Sequence, residues 1–232
     1  MITPPHQPRT SYMLFGIAFI LTWLFLVSLI SLPFSLHWLG LAKLTPTVFF
    51  ISRIFYWIGL ILLWLYCTKI EKLKLLIWEE KKYKPFYYIL SIIIIILIIY
   101  AGSFGIQKLL SLAKLETKSS TLGELVGIFK TNKFLLVFTA ITAGFTEELV
   151  VRGYLQTRLA IIFKNPWVAI IVSSLLFGLL HYKYGTLHNV IIPVFIGLIF
   201  AYHYWKYRNI KILIICHCLI DLLSLFTLVN QK

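Results

Sequence analysis

The sequence predicts an all-α, polytopic transmembrane helical bundle of about seven spans, and three observations carry that prediction. Of the 232 residues, 60% are hydrophobic, well above the roughly 45–50% of a soluble domain. The apolar residues fall in runs long enough to cross a bilayer, about 20 residues each. The 22 lysines and arginines, which give a net charge of +14, gather in the connectors between those runs, where lipid headgroups select them. The same charge on a soluble chain would point to nucleic acid. No aromatic–basic platform lies outside the apolar runs, so nucleic acid is not an expected partner. The length suits one bundle with no separate soluble domain.

Residues 1–10 are polar, carry three prolines and are expected to be disordered. Residues 12–32 read as a first span, too long and evenly apolar for a cleaved signal peptide. Residues 33–46 form a turn or partly submerged loop. Residues 47–68 are the second span, whose one charge, Arg53, is expected to snorkel. Residues 69–84 hold six lysines and three glutamates between leucines and a tryptophan, which reads as an interfacial helix on the membrane surface or a solvated connector. Residues 85–107 are the third span. Their isoleucine run suits a strand in water, but an isolated strand in lipid leaves its backbone unsatisfied, so a helix is expected. Residues 108–133 are the longest polar connector, with Thr121-x-x-Glu124 as a capping box for a short helix.

The fourth span, residues 134–163, ends before an Asn165-Pro166 turn. The fifth covers 167–182 and is short, the sixth 189–205 and the seventh 212–229, with a basic turn at 206–211. The chain is expected to divide into N-terminal spans and basic connectors (1–133) and a C-terminal core of four spans (134–229). Counted by side, thirteen lysines and arginines fall with the N-terminus and eight opposite it, Arg53 aside. The expectation is a multi-pass protein of the cell membrane with a cytoplasmic N-terminus and an outward C-terminus. The three cysteines, Cys67, Cys216 and Cys218, form no disulfide framework. Cys216 and Cys218 flank His217 but point to different helix faces, so they read as small apolar residues.

Only eight residues are acidic. Glu71, Glu79, Glu80, Glu116 and Glu124 lie in polar, lysine-bearing connectors. Glu147, Glu148 and Asp221 lie inside spans, where each ionisable group costs about 2.5–3.5 kcal/mol on insertion scales and marks function. In the run GFTEELVVRGYLQ, Glu148 and Arg152 are four apart and share a helix face. Glu147 is rotated by about 100° from Glu148. Arg152 can hold Glu148 while Glu147 faces a different, catalytic surface as a base. Phe177 and His181 stand four apart in SSLLFGLLH, where Ser173, Ser174 and Gly178 let a neighbouring helix approach closely. His217 and Asp221 stand four apart in ICHCLID. Asp221 either orients the His217 ring or joins it in stabilising an oxyanion. His6, His37, His188 and His203 lie in loops or near span ends and read as interfacial. No H-E-x-x-H or G-x-S-x-G is present.

The ordered set E-E-x-x-x-R, F-x-x-x-H and H-x-x-x-D, each on its own span, resembles the CAAX-protease and bacteriocin-processing (CPBP, or Abi) family, whose relatives include the type II CAAX prenyl proteases. The resemblance covers about 134–229. It implies an intramembrane endopeptidase with a helical bundle around a polar cavity. Glu147 and His181 would activate the attacking water, and His217 and the residue four later would stabilise the oxyanion. Glu148, Arg152 and Phe177 would support them. That last catalytic position is usually Asn in the family and is Asp221 here; a carboxylate repels an oxyanion unless it is protonated or orients His217 instead.

No cofactor is expected. If a metal is bound, Glu147, His181 and His217 have the ligand types for zinc, although no two-ligand helix motif fixes one. The expected partners are the lipid bilayer and a hydrophobic peptide or membrane-protein substrate. The isoleucine- and lysine-rich composition is of a low-GC bacterial kind, which points to peptide leaders, pheromone precursors or bacteriocins rather than prenylated proteins. Two other readings stay open: a non-catalytic bacteriocin-immunity or scaffold membrane protein, and a small transporter. The absence of an evident internal repeat argues against the transporter.

Overall fold

The structure is a computed structural model that describes residues 9–29, 40, 44–115 and 119–230. Most of the N-terminal tail and of the 33–46 loop, with His6 and His37, therefore lies outside the described residues. Among the described residues there are helices and no strands, and seven helices are long and apolar enough to cross a membrane.

Helix α1 (Thr10–Leu29) pairs with α2 (Pro46–Tyr66), which continues as a π-helical turn, Cys67–Glu71. Thr45 caps α2 by accepting from the Val48 amide, and Pro46 fills the first turn, where its missing N–H costs nothing. Polar ties set the pairing: Tyr66 donates to the Tyr12 carbonyl at 2.7 Å and Trp23 to the Phe55 carbonyl at 3.0 Å. Helix α3 (Pro85–Leu112) carries the isoleucine run and is helical as expected. It fully buries only Ile95, Ile99 and Leu110, and most of its apolar surface faces outward, as suits lipid.

A short amphipathic helix, α4 (Ser120–Thr131), follows. Its cap is Ser119, which accepts from the Leu122 amide at 3.2 Å, and not the Thr121 expected from the sequence. Asn132 then caps α5 (Lys133–Glu148), which runs on through a π-helical stretch, Leu149–Gln156, into α6 (Thr157–Phe163). Lys164 in a left-handed conformation ends this rod. Asn165 caps α7 (Pro166–Leu179) by accepting from the Trp167 amide at 2.9 Å, so the Asn-Pro turn forms as expected. A 3₁₀ turn, Tyr182–Tyr184, leads to α8 (His188–Tyr207), and α9 (Ile210–Asn230) closes the bundle.

Residues 72–84 depart from the sequence expectation. They form no interfacial helix but an irregular strap laid against the bundle. Its start is held by Glu71, which is buried and pairs with Arg158 at 2.8 Å, while Tyr154 donates to the other Glu71 oxygen at 2.6 Å. Arg158 also donates to the carbonyls of Lys74 and Leu75. The far end is tied to the α8–α9 turn: the Lys81 amide donates to the Arg208 carbonyl, Asn209 to the Lys81 carbonyl and the Ile210 amide to Glu80. Burial raises the Glu80 carboxyl above its ordinary value, partly offset by that amide. Backbone groups satisfied from outside the segment need no helix of their own. Glu71 is thus a fourth acid inside the protein, where the sequence placed it in a connector.

Small residues bring the site-bearing helices together. A Cβ on Gly178 would sit 2.8 Å from the Val190 carbonyl, and one on Gly197 3.1 Å from Ser174 Cα, so α7 and α8 meet nearly backbone to backbone. Ser173 and Ser174 are both buried, and Ser174 lies against Gly197 in that interface. On α5, a Cβ on Gly144 would meet the Cys218 side chain and lie 2.9 Å from the Cys218 amide nitrogen. The three cysteines are free, with Cys67 and Cys216 buried.

Candidate active site

The three motif helices converge on one cavity of about 360 Å³ whose walls include Glu147, Phe177, His181, His217 and Asp221. Its apolar wall draws on α1, α2 and α4 through Leu24, Phe49, Tyr56 and Phe129, so residues on both sides of position 133 enclose it.

Glu148 and Glu147 face different surroundings, as adjacent helix positions must. Glu148 is fully buried and its Oε1 accepts from Arg152 Nη1 at 2.8 Å, the pairing expected from the four-residue spacing. The same oxygen lies 2.7 Å from His217 Nδ1. Glu148 is therefore the group that orients His217, a role the sequence offered to Asp221. Asp221 Oδ2 instead lies 3.7 Å from the other ring nitrogen, Nε2, and Glu147 Oε2 lies 3.9 Å from it. Both distances exceed a hydrogen bond. His217 thus presents Nε2 to the cavity between two carboxylates. Glu147 Oε2 has no hydrogen-bond partner among the described residues.

Arg152 is the hub beneath this pair. It is fully buried, with its guanidinium 4.5 Å from the Phe177 ring centre and 5.3 Å from that of Phe200. Each such cation–π contact contributes about 0.5–2 kcal/mol, more as the site is drier. Gln156, one turn on, donates to the Ala201 carbonyl at 2.8 Å and anchors the π-helical stretch to α8. Phe177 also stands edge-on to His181, with ring centres 4.9 Å apart, and edge-on to His217 at 6.0 Å. Its place in F-x-x-x-H follows: one ring packs against the arginine and both imidazoles.

His181 lies where α7 gives out. Its backbone amide bonds the Gly178 carbonyl, which leaves the Phe177 carbonyl without its usual helical donor. His181 Nδ1 takes that place at 2.9 Å. A carbonyl only accepts, so Nδ1 carries the proton and Nε2 keeps a free lone pair on the cavity side. A helix that stops at this depth is tolerated because the broken turn lines a cavity. This accounts for the shortness of the fifth span.

Three cavity groups escape the motifs. Arg53 does not snorkel: it is buried, lines the cavity and stacks between Phe49 and Tyr56 at 4.7 and 4.6 Å. Lys183, two residues after His181, and His188, read from sequence as interfacial, line the same cavity. His203, also read as interfacial, is buried away from it. Arg53 had one available signal, a lone charge inside an apolar run. Among the described residues no three His, Cys, Asp or Glu side chains stand together as a metal-holding group. As placed, Glu147, His181 and His217 do not fit a zinc set.

No curated protein and no solved structure matches the chain. A family model does: Rce1-like, the type II CAAX prenyl endopeptidases, over residues 130–223. The match supports endopeptidase activity of the CAAX-protease type within a multi-pass membrane protein. The segment that carries Glu147, Glu148, Arg152, Phe177, His181, His217 and Asp221 is therefore Rce1-like, in keeping with the CPBP family resemblance drawn from the three motifs.

Proposed function

We propose that the protein is an intramembrane endopeptidase in which Glu147 and His181 activate a water for attack on a peptide carbonyl. The observation that carries this reading is the convergence of Glu147, His181 and His217 on one cavity, with each imidazole anchored through Nδ1 so that Nε2 stays available. Glu147 takes the proton of the water, and His181 Nε2 holds that water by accepting its second hydrogen. When His217 carries protons on both nitrogens, Nδ1–H stays on Glu148 and Nε2–H donates to the developing oxyanion. Glu147 then returns the proton to the leaving amine. Asp221, on the Nε2 side, acts in its protonated form as a second donor or else holds the His217 proton in place. No step runs through a metal.

The substrate is a hydrophobic or membrane-associated peptide, of the pheromone-precursor or bacteriocin kind. The test is proteolysis of hydrophobic peptides in detergent. Replacing an acid–base group typically costs 10²–10⁴-fold in rate. Glu147→Gln and His181→Ala should each lose at least about a hundredfold, with or without a strong chelator. Full cleavage by Glu147→Gln rejects the mechanism. Cleavage that chelator removes and zinc restores rejects its metal-free form.

A further inference from the structure

Arg53 and Lys183 are the cavity features that the proposed chemistry leaves unused. Both line the main cavity, and both also line a small recess beside it with Leu125 and Tyr184, so they stand where the two meet. Arg53 is 7% exposed. Its only hydrogen bond among the described residues runs from Nε to the Ser52 hydroxyl, and neither it nor Lys183 makes an ion pair there. The other two buried arginines, Arg152 and Arg158, are each paired with a glutamate. Arg53 acts through space on Asp221 and Lys183 on Glu147, all four lining one cavity, but no carboxylate among the described residues comes within ion-pair distance of either cation. A buried cation without a directly bonded carboxylate is costly, and at membrane depth such a group marks a binding site. Phe49 and Tyr56 flank the guanidinium, and among the described residues its Nη1 and Nη2 donors have no hydrogen-bond partner. A planar fork of this kind matches a carboxylate in two parallel hydrogen bonds.

We infer that Arg53, assisted by Lys183, binds a carboxylate of the peptide substrate and thereby sets where the chain lies relative to Glu147 and His181. The inference rests on the protease reading above and adds the residue that holds a free carboxylate near the cleaved bond. A cavity of about 360 Å³ takes a short peptide segment and not a folded chain, so a chain end is the favoured source of that carboxylate. Arg53 lies on α2, outside the residues matched by the family model. It is a specificity-determining residue and takes no part in proton transfer.

The experiment measures binding of fluorescein-labelled leucine-rich hexapeptides to full-length Glu147→Gln protein in detergent, beside their cleavage by the wild type. Three peptides are compared: a free C-terminal acid, its C-terminal amide, and an amide with glutamate as the last residue. The acid should bind at least tenfold more tightly than the amide. Recovery by the glutamate peptide identifies any nearby carboxylate as the ligand; no recovery identifies the chain end. Adding Arg53→Gln should erase the acid–amide difference, Arg53→Lys should keep part of it, and Lys183→Gln should reduce it. Thermal unfolding identifies any variant that has failed to fold, and the acid–amide comparison on the Arg53-containing protein stands without those variants. Equal binding of acid and amide, binding of neither, or a difference that survives Arg53→Gln overturns the inference. Cleavage by the wild type without acid–amide discrimination overturns the subsite alone, whereas loss of all cleavage with discrimination intact overturns the protease reading alone.

Discussion

Glu147 and Glu148 are neighbours in sequence and opposites in structure. Glu148 gives one oxygen to both Arg152 and His217 and sees no solvent, while Glu147 borders the cavity and makes no hydrogen bond among the described residues through Oε2. Glu148 Oε2 is likewise unpartnered there, so it is the pairing of Oε1 that separates the two. Their neutral variants should separate accordingly. Glu148→Gln leaves Arg152 buried without its counter-charge, and breaking one side of a buried pair costs about 3–5 kcal/mol. A marked fall in thermal midpoint is expected, with activity lost through a misplaced His217. Glu147→Gln should lose activity with little change in midpoint. Calorimetry of both variants in one detergent checks this, and equal midpoints would reject the division of roles. The i,i+4 spacing of Glu148 and Arg152 is legible in the sequence. The second partner of Glu148 is not, because His217 is 69 residues away and only helix packing brings it to 2.7 Å.

At the scale of elements, two contacts decide whether the site forms. Gly144 lets α5 approach α9 one turn before Glu148 reaches His217. Gly144→Ala places a methyl against Cys218, including its backbone nitrogen, and overpacking of this kind costs about 1–3 kcal/mol. Activity should fall at least about tenfold as His217 is pushed from Glu148. Cys218→Ala should restore it only in part, since the backbone contact remains; full rescue would place the clash in the side chain alone. The second contact is the strap at 72–84, pinned by Glu71 and Arg158. Arg158→Gln removes the donors to Lys74 and Leu75 and strands Glu71, at about 3–5 kcal/mol for a broken buried pair. Limited trypsinolysis should then cut within the strap's lysines faster than in the wild type. Lysine and glutamate content made this segment read as a solvated or interfacial piece; the charges that mattered, Glu71 and Arg158, meet only across the fold.

For the molecule as a whole, the proposed orientation in the membrane rests on charge. Arg152 and Arg158, counted with the N-terminal side, turn out to be ion-paired inside the protein. Setting them aside still leaves that side ahead in lysine and arginine, so the proposed cytoplasmic N-terminus stands on the remaining exposed charges. The two ends of α3 test it. In intact cells a membrane-impermeant maleimide should label Lys114→Cys and spare Lys81→Cys; the reverse pattern inverts the orientation. Both positions are exposed, so labelling reports sidedness and not burial.

The sequence by itself determined the all-α class, the seven spans, the Asn165-Pro166 turn and the three motifs, because apolar run length and four-residue spacing are local properties of a helix in lipid. Only the tertiary structure decided that Glu148 anchors His217, that Asp221 stands at Nε2, that Glu71 and Arg158 bind the strap, and that Arg53 turns inward to the cavity. The Glu148–His217 and Glu71–Arg158 pairings join different spans, and their energy comes from removing two distant groups from lipid or water together. No spacing along the chain records which partner the packing will supply.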